Sequence, residues 1–172
     1  YPQPDAKVLR QAIADHHGVG IDSVVVTHAV DEALRLAVTT FVASGGVVAS
    51  TEPTYSLYPV LAQIQDAQMF TRDLAEDWSL PDDFAETVNA ADAQLTCVVN
   101  PHAPSGYLNS HAALELLVEQ LDGVLLVDEA YADFVDTDGP RSIAERVTER
   151  ENLLVLRTFS KGYSLAGMRL GY

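Results

Sequence analysis

The chain has 172 residues, 48% hydrophobic and 20% charged, enough for a sizeable single-domain core and too apolar for wholesale disorder. Acidic residues outnumber basic ones 25 to 10, and the net charge of −15 argues against a nucleic-acid partner, which asks for a basic face. No apolar run reaches the roughly 18 residues of a membrane span, no signal peptide opens the chain, and the single cysteine, Cys97, excludes an internal disulfide or a cysteine-based zinc site.

Short apolar runs alternate with helical periodicity, the pattern of an α/β fold. Asp5 is read as the cap of a helix ending at His17, with Gly18 as its stop. Val24 to Val26 reads as a strand, Asp31 to about Ala43 as a helix ended by Gly45-Gly46, and Val47 to Ala49 as the next strand. Pro53-Thr54-Tyr55 opens a helix to about Asp66, followed by a strand from Gln68 to Thr71, a loop from Trp78 to Pro81 and a helix from Asp82 to Ala90. Leu95 to Val99 is a β-branched, fully apolar strand. Asn100 to Gly106, with two prolines and a glycine, is a structured loop. Ser110 caps a helix to Leu121, and Val124 to Asp128 is a strand ending in a carboxylate. Asp136 to Pro140 is a surface turn, Ile143 to Arg150 a helix, and Leu153 to Leu156 the last strand. The chain lacks an initiator Met and ends abruptly at Tyr172, so both ends read as cut from something longer.

In open α/β sheets ligands bind beyond the carboxyl ends of strands. The residues there are Thr27 to Asp31, Asn100 to Gly106, Asp128 to Tyr131, and Thr158 to Lys161. Lys161 is one of only two lysines, the other being Lys7, and it follows an apolar strand beside Gly162. A lysine desolvated there is a nucleophile or Schiff-base former; the plainer alternative is a snorkelling surface lysine. Asp128, at the end of an apolar strand, needs a partner, whether in a site or in a structural ion pair. Tyr131, three residues on, either faces the same rim or packs in the core. The five histidines show no zinc spacing, and neither a nucleophile elbow nor a Walker loop is present.

Asp128-Glu129-Ala130-Tyr131, then Arg157-Thr158-Phe159-Ser160-Lys161, then Leu165-Ala166-Gly167-Met168-Arg169-Leu170-Gly171-Tyr172, together resemble the pyridoxal-phosphate (PLP) aminotransferases of fold type I, and among them the histidinol-phosphate aminotransferases. Tyr1-Pro2-Gln3-Pro4-Asp5, Asp31-Glu32, Pro53 to Tyr58 and Asn100-Pro101 through Pro104-Ser105-Gly106 extend the likeness over the whole chain. The resemblance implies that residues 1–172 are the PLP-binding large domain, a mainly parallel sheet with helices on both faces, without the C-terminal small domain. It implies that Lys161 carries PLP and then moves the substrate α-proton, that Asp128 pairs with the pyridine nitrogen, and that Tyr131 donates to the ring's phenolic oxygen. Tyr55 would stack on the ring. Backbone N–H groups of Val30 and Asp31, with Ser160 and Arg169, would hold the cofactor phosphate. Asn100 belongs to the same cofactor-binding set, and Tyr1 would reach a phosphate across a homodimer interface.

The implied reaction is transamination of L-histidinol phosphate with 2-oxoglutarate, giving imidazole acetol phosphate and L-glutamate in histidine biosynthesis, in a cytoplasmic enzyme without membrane, nucleic-acid or metal partners. A related fold type I enzyme (an aromatic or broad-specificity aminotransferase, or threonine-phosphate decarboxylase) and a non-catalytic PLP-binding regulator domain remain as alternatives. Two positions depart from the family pattern. Its Asn-Asn-Pro-Thr-Gly becomes His102-Ala103-Pro104-Ser105-Gly106, so the asparagine that would bond the ring oxygen is Ala103. Either His102 supplies a substitute donor or it faces solvent. The usual Gly-Ser-Asp turn becomes Ala29-Val30-Asp31, where an alanine crowds the phosphate or strains φ.

Overall fold

A computed structural model describes residues 3–136 and 141–172. Five strands, β1 (Val47–Glu52), β2 (Gln68–Asp73), β3 (Ala93–Val99), β4 (Val124–Asp128) and β5 (Leu153–Leu156), form one sheet in the order β2-β1-β3-β4-β5. Every neighbouring pair is parallel. The α/β class with a parallel sheet and helices on both faces is therefore observed. Side-chain alternation explains the two layers. Leu95, Cys97 and Val99 of β3 face helices α2 (Ala29–Phe41) and α3 (Leu57–Ile64). Val98, with Leu125 and Val127 of β4, faces α4 (Phe84–Ala90) and α5 (His111–Gln120). Because β3 and β4 are covered on both sides, they read as continuous apolar runs. No helix of the described residues is long and apolar enough to cross a membrane.

Four local expectations change, one of them the helix expected to open at Pro53-Thr54-Tyr55, which starts only at Leu57. Asp5 does not cap α1 (Lys7–His17): Ala6 occupies that position with φ 47° and no side-chain cap bond. Gly18 does end that helix, at φ 68°, its N–H bonding Ala14 O. Val24 to Val26 forms no strand, because the segment's one ladder contact among the described residues is an antiparallel bridge from Thr27 to Gly171. The expected helix at Ile143–Arg150 tightens to a 3-10 turn, Ala144–Thr148. Ser110 caps α5 as expected, its hydroxyl accepting the Ala113 N–H. Most of the turn expected at Asp136 to Pro140, like Tyr1, lies outside the described residues.

The order of the strands sets the location of the site. The chain steps from β1 outward to β2, then returns to the other side of β1 with β3. Such a reversal leaves a crevice at the carboxyl ends of the strands.

Candidate active site

A cavity of about 470 Å³ opens at that end of the sheet. Lys161, Asp128, Tyr131 and Ser160 line it, from the loops after β4 and β5. Tyr55 enters from the loop after β1, and Val30, Asp31 and Arg169 from the first turn of α2 and the chain's last segment. Eight of the ten residues singled out from the sequence thus share one cavity. Asn100 is not brought there: its amide is buried and tied to Asn109, accepting that residue's N–H at 2.8 Å and donating to its carbonyl at 3.2 Å. Tyr1, the tenth, lies outside the described residues. A second hollow of about 490 Å³ lies along the outer edge of β5 and contains none of the ten.

Asp128 is 4% exposed, and its carboxylate has two donors. The Ala130 N–H reaches Oδ1 at 3.0 Å, and the Tyr58 hydroxyl reaches Oδ2 at 2.9 Å. Burial pushes its pKa up, and these two hydrogen bonds oppose the shift. Lys161 is exposed rather than desolvated in this chain, with Nζ 5.2 Å from the centre of the Tyr131 ring, within cation–π range. Tyr55 is half-exposed; its ring meets Tyr58 edge-on at 5.7 Å, and its hydroxyl lies 3.4 Å from Asp31 Oδ1. Burial and the Asp31 carboxylate raise the Tyr55 pKa.

The first N–H groups of α2 have no intrahelical acceptor, so Val30 and Asp31 present free donors to the cavity. Ser160 Oγ is buried without a hydrogen-bond partner among the described residues. Arg169 bonds the Asp31 carboxylate at 2.9 Å, a pairing the sequence reading did not anticipate. Ala29 has φ 64°, so the strain expected of an alanine at this turn is present. Thr27 holds the turn: its carbonyl accepts the N–H of Ala29 at 2.9 Å and of Gly171 at 3.1 Å, and its hydroxyl donates to Ala29 O.

His102 fits neither expectation, because it is buried and absent from the cavity wall. Its Nε2 lies 2.9 Å from Pro53 O and its Nδ1 2.7 Å from Ser105 Oγ. A carbonyl can only accept, so Nε2 carries the proton and Nδ1 accepts from Ser105 in the neutral ring. His102 therefore straps the Asn100–Gly106 loop to the segment before Tyr55. Ala103 lines the cavity with a methyl group only.

Two groups of residues escaped the sequence reading. Tyr58 was noted only within the Pro53 to Tyr58 motif, yet it is 1% exposed and bonded to Asp128. Outside the cavity lining, Arg157 reaches Glu129 Oε2 at 3.5 Å and Asp133 Oδ1 at 2.5 Å, while the Ile143 N–H bonds Glu129 Oε1 at 2.8 Å. This buried network joins the loop carrying Asp128 and Tyr131 to the loop carrying Ser160 and Lys161. A signal did exist: parallel register sets Asp128 beside Leu156, which brings the next residues, Glu129 and Arg157, side by side. Gly162 packs against Asp133 so closely that a Cβ would lie 2.7 Å from its carboxylate Oδ2.

Among the described residues no cluster of three or more His, Cys, Asp or Glu side chains is placed to hold a metal ion. The family model for aminotransferase class I and II matches residues 1–172. A histidinol-phosphate aminotransferase of Geotalea daltonii is 37% identical over 99% of this chain, which covers 47% of that protein. Histidinol-phosphate aminotransferase 1 of Trichormus variabilis is 38% identical over the whole chain and 47% of its own length. The crystal structure of histidinol-phosphate aminotransferase from Sinorhizobium meliloti, in complex with pyridoxal-5'-phosphate, superposes with a TM-score of 0.89 at 26% identity, over 99% of this chain and 47% of that one. The chain thus spans about half the length of the relatives it matches. On the family match from end to end, this chain belongs to the class I and II aminotransferases.

Proposed function

We propose that this chain is the cofactor-binding part of a PLP-dependent aminotransferase acting on L-histidinol phosphate and 2-oxoglutarate. The observation that carries the reading is one cavity containing an amine (Lys161), a buried carboxylate (Asp128), and a phosphate-type donor set. The cavity fits PLP on its own chemistry. Ser160 Oγ is a buried hydroxyl without a partner among the described residues, in one cavity with the first N–H groups of α2 and Arg169, which is what a dianionic phosphate asks for.

When bound, PLP supplies an electron-withdrawing ring that acidifies the substrate's α-carbon hydrogen. Asp128 would hold a proton at the ring nitrogen through its buried carboxylate, a charge-assisted bond in a poorly solvated place. Lys161 is the residue that would hold the cofactor's aldehyde carbon through Nζ, with the aldehyde oxygen leaving as water, and its free amine would take up and return the α-proton. Tyr131 would donate its hydroxyl to the ring oxygen, and Tyr55 would pack on the ring. Arg169 would exchange part of its bond to Asp31 for the phosphate. The substrate-gripping arginine, in this reading, belongs to a C-terminal small domain, and the enzyme is a cytoplasmic homodimer in which Tyr1 serves the neighbouring site. The exposed Phe134, Tyr163, Leu165 and Met168 close to Lys161 support a covering surface there, because an apolar rim of that kind is seldom left to water.

The test uses the full-length protein loaded with PLP. Histidinol phosphate alone is expected to convert the pyridoxal absorbance to that of the pyridoxamine form, and 2-oxoglutarate to restore it. A band indifferent to histidinol phosphate overturns the substrate. Borohydride is expected to fix PLP to the protein, and Lys161→Ala to abolish the labelling completely; label retained on another lysine overturns the role of Lys161.

A further inference from the structure

Tyr58 has no assigned part in the chemistry above, yet its position is unusual for a core tyrosine. It lies three residues beyond Tyr55, in the first turn of α3, and belongs to the buried cluster that also contains Leu34, Leu61 and Val99. Its hydroxyl could have been satisfied by a backbone carbonyl, as buried tyrosines commonly are. Instead it donates to Asp128 Oδ2, and it is the only side chain among the described residues that does so. The other donor, the Ala130 N–H, takes Oδ1. Each carboxylate oxygen is therefore held by one donor, and the plane of the group is fixed from both sides. What remains for a ligand is the lone-pair capacity directed into the cavity.

From this geometry we infer that Tyr58 is a positioning residue, which sets the direction and the basicity of the Asp128 carboxylate toward the ring nitrogen of a heteroaromatic cofactor. The inference rests on the proposed reading of the cavity and extends it to a residue that never touches the cofactor. Two effects follow from the one hydrogen bond. It orients the acceptor before a ligand arrives, which lowers the cost of ordering on binding. It also stabilises the ionised carboxylate in a buried place where desolvation favours the neutral acid. Burial and the neighbouring Asp128 charge hold the Tyr58 pKa well above the ordinary tyrosine value, so the hydroxyl remains a donor throughout the working pH range.

The alternative role is packing: a tyrosine whose hydroxyl merely needed a partner. An analogue separates the two, because only one of them acts through the ring nitrogen. Equilibrium binding of PLP and of 1-deaza-PLP, in which a C–H replaces that nitrogen, is measured on the full-length protein and on its Tyr58→Phe variant. Phenylalanine keeps the ring volume and removes one hydroxyl. Tyr58→Phe is expected to weaken PLP by about tenfold, the worth of one hydrogen bond to a charged group, and to change the deaza analogue by less than about twofold. Equal losses for both ligands overturn the inference in favour of packing. No loss for either overturns it as well. The absorbance of bound PLP gives a second readout: the pH at which the ring nitrogen loses its proton is expected to shift in Tyr58→Phe, because the Asp128 carboxylate that faces it loses a donor and becomes more basic, and an unmoved transition contradicts the inference. Failure of the unsubstituted protein to bind PLP at all is a different result, since it overturns the reading of the cavity itself.

Discussion

Two arginines serve the loops around the cavity, and they are held in opposite ways. Arg157 lies outside the cavity lining, on the wall of the second hollow, with its side chain 5% exposed and bonded to Glu129 (2%) and Asp133 (22%). Arg169 lies at the cavity's mouth, 39% exposed, bonded to Asp31 at 50%. The first is part of the frame that ties the loop after β4 to the loop after β5. The second is a charge that water screens and a ligand can borrow. Geometry alone gives both a salt bridge, so burial decides what each one does.

Truncating each arginine sharpens this comparison. Arg157→Leu leaves the Glu129 carboxylate buried without its cation, and a broken buried pair costs about 3–5 kcal/mol. Urea denaturation is expected to show that loss. Arg169→Leu removes an exposed pair, whose worth is below about 1 kcal/mol, and is expected to leave the urea midpoint nearly unchanged while weakening phosphate and PLP binding. Similar midpoints for the two variants would sink the distinction.

The buried frame also has a pH signature. Burial raises the Glu129 pKa from 4.5 to about 7, against the pull of Arg157 and of its hydrogen bonds. A raised pKa means that the protonated form is favoured in the fold. Its stabilisation is fully present below pH 4.5 and is lost as pH rises through about 7. The shift corresponds to about 3 kcal/mol. His17, bonded to the Tyr172 hydroxyl at 2.9 Å, has the opposite slope. Burial first, then Arg157, lower its pKa from 6.5 to about 4, so its contribution is present above pH 6.5 and lost as pH falls toward 4. Its size is smaller, because the ring is only about half-buried. The two slopes oppose each other in the unsubstituted protein. Glu129→Gln removes one of them, and its unfolding free energy is then expected to rise with pH between 4 and 6.5, the window set by His17. A variant with the same pH profile as its parent contradicts the assignment to Glu129.

The sequence made the residues of the cavity easier to see than the Arg157 network. Lys161, Asp128, Tyr131 and Arg169 stand in local motifs next to strand ends, and motif spacing carries directly into the cavity. The network of Glu129, Asp133 and Arg157 needed the register of β4 against β5, which no single segment contains. Tyr58 was hidden for the same reason, since its partner Asp128 is 70 residues away in the chain. The helix ends were legible where a side chain or a glycine does the capping, as at Ser110 and Gly18, and illegible at Ala6, where the turn enters a positive φ without a polar cap. Val24 to Val26 had the composition of a strand without its partners, and β propensity expresses neighbours more than backbone preference.

The turn before α2 offers the smallest and most discriminating test, because an alanine stands in it at a positive φ while a glycine, Gly171, packs against it. Gly171 packs on this turn so closely that a Cβ there would lie 2.8 Å from both Ala29 C and Val30 N. Those are backbone atoms and cannot swing aside, so Gly171→Ala is expected to destabilise by about 1–3 kcal/mol, the usual cost of overpacking. Ala29 is the reverse case: φ is 64°, where an L side chain costs roughly 1–2 kcal/mol. Ala29→Gly removes that cost but adds the unfolded-chain entropy of glycine, roughly 0.5–1 kcal/mol, for a net gain of at most about 1 kcal/mol. The methyl group also lines the cavity beside the N–H groups of α2. Ala29→Gly is therefore expected to raise the melting temperature by a few degrees and to tighten PLP through its phosphate. Tighter binding without added stability would place the cost of the alanine in crowding of the ligand. Added stability without tighter binding would place it in backbone strain, and a loss of both would show that the left-handed turn depends on the methyl group's own packing.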